Sequence, residues 1–239
     1  MSGSVNVKEK LESIKEKISL AEKKSGRSQG SVKLMAVSKF HPGQAVEEAF
    51  KAGQLLFGEN RVQEAAEKFP PLIAAHPQIS VQMIGQLQSN KVKKALEFAS
   101  CIQSVDRIEL LREIEKQCTK LNRKINILFE YHTGEESKAG YKSEADLRQS
   151  IEACVNGTFP HIIPCGLMTM APFTEDEKLI RKSFISLREL LEKLQADYKE
   201  LPLTELSMGM SGDFEIAIEE GSTLVRVGTA IFGERDYSK

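Results

Sequence analysis

The stretch Lys33-Leu34-Met35-Ala36-Val37-Ser38-Lys39 is an apolar run of strand length that ends on an ammonium. Its apolar character is near-continuous rather than alternating, which points to a strand buried on both faces of a parallel sheet. Working outward, comparable runs recur at 55–58, 81–85, 101–105, 125–130, 162–168, 203–207 and 224–227. Helical patterns lie between them at 43–52, 61–69, 87–98, 107–122, 142–155, 175–199 and 212–220. Pro42, Gly53, Pro70-Pro71, Gly157, Pro172, Pro202 and Gly221 mark the boundaries. Before the first run, Leu11, Ile14, Ile18 and Ala21 share one face of an amphipathic helix over 7–24. Eight strand–helix units predict an α/β fold closed into a (β/α)8 TIM barrel with an extra N-terminal helix. The open doubly wound sheet is the alternative. No linker or low-complexity tract interrupts the pattern, so 1–239 reads as a single domain with a leading helix over 1–25.

Composition excludes several function classes. With 33 basic and 34 acidic side chains, the net charge of −1 gives no electrostatic footprint for nucleic acid. Lys91, Lys93 and Lys94 read as the solvated face of a helix. No apolar stretch reaches the ~18 residues of a membrane span, and the N-terminus lacks the apolar segment of a signal peptide. Cys101, Cys118, Cys154 and Cys165 contain no C-x-x-C pair and read as reduced thiols. The four histidines show no metal-ligand spacing. The expectation is a metal-free cytoplasmic protein.

In such a barrel the active face lies at the C-terminal strand ends, and the unusual residues fall there. Lys39 ends the first run. Burying its charge is costly, and a desolvated amine is a nucleophile towards carbonyls; the alternative is a strand-end lysine with its head in water. Gly58-Glu59-Asn60-Arg61 ends the second run, and Gly85-Gln86-Leu87-Gln88-Ser89-Asn90 follows the third. Ser211-Gly212 follows the seventh run, with Ser211 as an N-cap candidate. Gly228-Thr229 follows the eighth, ahead of a short helix at 230–233. Both loops offer backbone N–H groups to an anion, at the usual phosphate position of barrel enzymes; ordinary capping and tight turns are the alternative. Arg226 points at the same mouth and needs an anion or strong acceptor, either a ligand or Asp213, Glu215 or Glu234.

A reactive lysine, a phosphate cradle and an arginine are the parts that hold pyridoxal 5′-phosphate. Lys39 would form the Schiff base and the loops would hold the phosphate. Arg226 beside the pyridine nitrogen would keep the ring neutral and a weaker electron sink. Asn60 would bond the ring hydroxyl or stack near the ring.

At these residues the chain resembles the pyridoxal-phosphate homeostasis protein family, the YggS/PROSC-type barrels related to the alanine racemase N-terminal domain. The matching stretches begin with Ala36-Val37-Ser38-Lys39 and Phe57-Gly58-Glu59-Asn60-Arg61-Val62-Gln63-Glu64. They continue through Ile84-Gly85-Gln86-Leu87-Gln88-Ser89-Asn90-Lys91, Gly134-Glu135-Glu136-Ser137-Lys138-Ala139-Gly140 and Gly166-Leu167-Met168. The longest runs from Leu206 through Ser211-Gly212-Asp213 and Ala217-Ile218-Glu219 to Val225-Arg226-Val227-Gly228-Thr229 and Gly233. The resemblance implies a barrel that binds the cofactor through Lys39, with Ser211, Gly228 and Thr229 on the phosphate. It places Arg226 near the pyridine nitrogen and Asn60 beside the ring. It also implies a vitamin B6 carrier or regulator without established catalysis, with apo pyridoxal-phosphate enzymes as partners. Lys138 matches a second family lysine, either an alternative aldehyde site or a solvated side chain. The sequence departs from the family pattern at Phe40, usually threonine. It departs again at Val81-Gln82-Met83, where an aromatic–histidine–aromatic run is common, and at Glu130-Tyr131-His132, a segment that usually carries asparagine.

Two other functions compete. A racemase or decarboxylase would use the same lysine, but racemisation needs bases on both faces of the substrate. No tyrosine or cysteine is placed by sequence opposite Lys39 (Tyr237 lies on a tail), and the chain ends where the barrel closes. An enzyme of phosphorylated metabolites would fit the loops and leave Lys39 and Arg226 with less to do. A barrel of this kind is expected to stand alone as a monomer.

Overall fold

The computed structural model describes residues 6–134 and 139–234. The strands are β1 (Lys33–Val37), β2 (Leu56–Glu59), β3 (Ser80–Met83), β4 (Cys101–Val105), β5 (Ile125–Glu130), β6 (Ile162–Met168), β7 (Glu205–Ser207) and β8 (Leu224–Val227). They form a closed parallel barrel in chain order. Closure is visible at Ala36, which stands opposite Phe57 of β2 on one side and Val227 of β8 on the other. The open-sheet alternative is therefore excluded, and the fold is a (β/α)8 barrel.

Around it run α1 (Val7–Lys24), α2 (Gly43–Lys51), α3 (Val62–Ala75), α4 (Val92–Ala95), α5 (Ile108–Leu121), α6 (Glu144–Val155), α7 (Glu177–Asp197), α8 (Phe214–Glu219) and α9 (Thr229–Phe232). In α1, Leu11, Ile14, Ile18 and Ala21 are buried as the periodicity predicts. The Asn6 side chain caps this helix by accepting from the Glu9 N–H at 3.2 Å. Near its C-terminus the buried Glu22 accepts from Gly30 N, Ser31 Oγ and Val32 N at 3.0, 3.1 and 2.8 Å. One carboxylate thus ties the leading helix to the entry of β1. Phe57, Phe69, Phe129 and Phe184 are among the largest fully buried side chains of the core.

Three elements differ from the sequence expectation. Pro70 and Pro71 do not end α3, which continues to Ala75. Both prolines are exposed, so the carbonyls that lose backbone donors lie on the face open to water. Phe69 is buried and Leu72 packs against the core, which keeps the apolar face continuous. The helix expected over 87–98 contracts to a 3₁₀ turn, Ser89–Lys91, followed by the single turn of α4. Finally, α8 starts at Phe214 with Asp213 at its N-cap position, so Ser211 does not cap it.

Candidate functional site

The ends of several strands deliver residues to one mouth. Lys39 lies two residues beyond β1, Asn60 directly after β2, and Arg226 within β8. Ser211 sits in the β7–α8 loop, and Gly228 and Thr229 in the turn from β8 into α9. These six residues line one cavity of about 400 Å³, together with Glu130, Met168 and Met170.

The two loops expected to hold an anion are in contact. The Gly228 N–H donates to Ser211 Oγ at 3.4 Å, at the long end of the hydrogen-bond range. Ser211 therefore bridges the loops instead of capping a helix. Gly228 lies close to β1: a Cβ there would sit 3.1 Å from the Val37 carbonyl oxygen and 3.3 Å from Val37 Cβ, a tight fit. Gly209 carries the other loop through φ +95, where a Cβ would meet that of Ala217 at 2.6 Å. The Met210 N–H is held by Asp213 Oδ1 at 2.5 Å. The backbone N–H groups of Ser211, Gly212 and Thr229, all lining the cavity, form no hydrogen bond among the described residues. Three donors are thus left open around the mouth.

Arg226 is buried, with 4% of its surface exposed. It does not pair with Asp213, Glu215 or Glu234 through a salt bridge. Its guanidinium instead donates to Ser207 O and Oγ at 2.8 and 2.6 Å and to Thr169 O at 2.7 Å. Burial lowers its pKa to about 10, opposed by the nearby charges of Glu130 and Asp213. It remains a cation at neutral pH and can only donate.

Sequence reasoning did not place Glu130 in the site. It ends β5, is 3% exposed and lines the cavity. Burial pushes its carboxyl up to about 7, with Asp106 adding to the rise and Arg226 opposing it. The signal was present, because a charged residue closing an apolar strand is the feature that singles out Lys39. Asn60 lines the same cavity, and its Oδ1 is buried with no hydrogen-bond partner among the described residues. Gly85 packs onto it so closely that a Cβ there would lie 2.5 Å from Asn60 O.

The departures from the family pattern also find places. Gln82 accepts from Gln103 Nε2 at 2.6 Å, and Gln103 Oε1 accepts from Ser207 Oγ at 2.7 Å. Gln82 is thereby linked to Arg226 through two side chains across the barrel. Phe40 adopts φ +66, with the Arg61 guanidinium 4.7 Å from its ring centre. The Tyr131 carbonyl accepts from Thr169 Oγ1 at 2.8 Å. Lys138 and Tyr237 lie outside the described residues.

The alanine racemase N-terminal domain family model matches residues 10–236. The pyridoxal phosphate homeostasis protein of Aquifex aeolicus is 40% identical over 234 residues, covering 98% of this chain and 100% of the relative. PipY of Synechococcus elongatus, solved with PLP bound, superposes with a TM-score of 0.83 at 36% identity, over 95% of this chain and 100% of that one. Alanine racemase of Clostridium difficile superposes at 0.75 with 15% identity, over 96% of this chain and 59% of the enzyme, a likeness of fold alone. With identity of this order running over nearly the whole of both sequences, the chain belongs to the pyridoxal phosphate homeostasis protein family.

Proposed function

We propose that the cavity holds pyridoxal 5′-phosphate with its aldehyde at Lys39, its phosphate at Ser211, Gly228 and Thr229, and its pyridine nitrogen at Arg226. Asn60 stands beside the ring in this reading. The observation that carries it is the convergence of an amine, three open backbone donors and a fixed arginine on one cavity. The orphaned Asn60 Oδ1 suits a ligand hydroxyl, which would donate to it. When bound, the cofactor would supply an aldehyde carbon, and Lys39 would hold it through its amine nitrogen.

The residues favour holding over turnover. Arg226 presents a donor, so the ring nitrogen opposite it accepts and stays unprotonated, which weakens the ring as an electron sink. Racemisation needs a base on each face of the substrate. Among the described residues lining the cavity there is no tyrosine, cysteine or histidine. As a member of its family the chain is a pyridoxal-phosphate-binding protein of vitamin B6 homeostasis, a carrier or regulator and not an enzyme. Delivery to apo-enzymes, a monomeric state and a cytoplasmic location complete the reading. No helix of the described residues is long and apolar enough to cross a membrane, and no cluster of three His, Cys, Asp or Glu among them could hold a metal ion.

One observation favours the alternative of a racemase or decarboxylase: Glu130 is a carboxyl at the mouth held near neutrality, as general acid–base groups are. The test is an absorbance titration with pyridoxal phosphate of the native protein and Lys39→Ala, with mass spectrometry after borohydride reduction. A stoichiometric adduct on Lys39 that disappears in the variant supports the site. Labels scattered over surface lysines overturn it, and turnover of free amino acids would move the protein to the enzyme reading.

A further inference from the structure

The segment that carries Lys39 is gripped by a second lysine. Lys68, on α3, is buried, its side chain only 6% exposed. Its Nζ donates to Ser38 O at 2.8 Å and His41 O at 2.9 Å, the carbonyls on either side of Lys39. The same ammonium lies 3.0 Å from Glu64 Oε1 and 2.7 Å from Glu59 Oε1. Glu64 Oε1 also accepts the Phe40 N–H at 2.7 Å, and Glu59 Oε1 accepts the Ser38 hydroxyl at 2.7 Å. Ser38, Phe40 and His41 are therefore each tied to one buried charge cluster, and Lys39 projects from the middle of the tied segment. The turn needs such a hold. Phe40 sits at φ +66, a left-handed conformation that bulky side chains rarely adopt.

Four oxygens around one ammonium would serve as well for packing as for aiming. The placement of the two carbonyls distinguishes these roles. A lysine that only neutralised Glu59 and Glu64 would have no need to span both sides of Lys39. Glu59 has no surface exposed, and its Oε2 has no partner, so the cluster leaves a buried carboxylate oxygen unsatisfied. That arrangement is costly for stability alone and is kept where geometry is at stake.

We propose that Lys68 is a positioning residue that clamps the backbone on both sides of Lys39 and so aims the Lys39 amine at the aldehyde. The proposal rests on Lys39 being the aldehyde site. Removing Lys68 alone would strand the Glu59 charge, so the informative variant is Glu59→Gln with Lys68→Met, which removes both charges together. Two ligands are compared: pyridoxal 5′-phosphate, and pyridoxamine 5′-phosphate, whose amine cannot condense with Lys39. Aiming predicts that the aldehyde binds at least about tenfold more weakly, since small misplacements of a reacting group are costly. The pyridoxamine ester should stay within about twofold of native, because its contacts lie in the loops and at Arg226. An equal loss for both ligands, or no loss for the aldehyde, overturns the proposal. Glu64→Gln, at a partly exposed position, is the second variant: it weakens the grip without burying a lone charge. It should slow formation of the Lys39 adduct and leave the melting temperature nearly unchanged; an unchanged rate overturns the proposal even if the double variant does not fold. If the native protein forms no adduct on Lys39, the site reading falls and this proposal with it. A native adduct with unaltered variants removes the proposal alone.

Discussion

Arg226 on β8 donates to Ser207 on β7 twice, to the carbonyl at 2.8 Å and to the hydroxyl at 2.6 Å. The hydroxyl in turn donates to Gln103 Oε1 on β4, and Gln103 Nε2 donates to Gln82 Oε1 on β3. The chain crosses the barrel interior, so the guanidinium is oriented before any ligand arrives. Ser207→Ala removes one acceptor of a buried cation and the donor to Gln103. It is expected to cost about 1–3 kcal/mol, the range for a lost buried hydrogen bond to a charged group. Urea denaturation measures this directly. A midpoint that does not move would mean that Arg226 needs no such support.

Glu130 makes stability depend on pH in a stated direction. Its carboxyl is raised from 4.5 to about 7 in the folded protein, chiefly by burial. Between those values the unfolded chain has released the proton that the folded chain keeps, so stability is full below the lower value. It falls as pH rises through the window and levels off above about 7. The loss is on the order of 3 kcal/mol. Glu130→Gln should flatten the slope between pH 5 and 7 in thermal melts. A slope of the same size in the variant would assign the dependence to other groups.

The phosphate loops are separable from Lys39. Ser211→Ala removes the side chain that joins them, while Lys39 and its clamp are untouched. Pyridoxal phosphate should bind about three- to tenfold more weakly, the scale of a single hydrogen bond, whereas pyridoxal without its phosphate should be little affected. Isothermal titration with both ligands tests this, and equal losses would mean that the loops hold something other than the phosphate.

Most of the barrel was legible because its strands are short apolar runs with sharp ends. The bounds of β4, β5, β6 and β8 fall where the apolar character begins and stops. What misled was punctuation. Pro70 and Pro71 read as a helix stop, but both lie on the exposed face of α3, where water can satisfy the carbonyls that lose their donors. Ser211 read as a cap because its residue type is right, yet its hydroxyl faces Gly228 across the mouth. That partner is 17 residues away in the chain, and no local rule finds it. Lys68 is the same case. Within α3 it forms an unremarkable i,i+4 pair with Glu64, and only the approach of the segment after β1, through Ser38 O and His41 O, turns that pair into a clamp.

Gly85 and Asn60 give a prediction that joins packing to binding. A methyl group at position 85 would lie 2.5 Å from the Asn60 carbonyl oxygen and 2.7 Å from its Cα, so the backbone after β2 must shift. Gly85→Ala should therefore cost about 1–3 kcal/mol, the usual scale of overpacking. It should also carry the Asn60 amide away from its place at the mouth. Asn60→Ala leaves the backbone alone and removes the carboxamide with its orphaned Oδ1, so it should weaken cofactor binding with little effect on stability. The two variants can be compared by melting temperature and by cofactor titration. Loss of stability confined to Gly85→Ala, with weaker binding in both, is the expected pattern. Full affinity in Asn60→Ala would show that Oδ1 faces no ligand group, and that Gly85 serves the close crossing of two strand ends and nothing more.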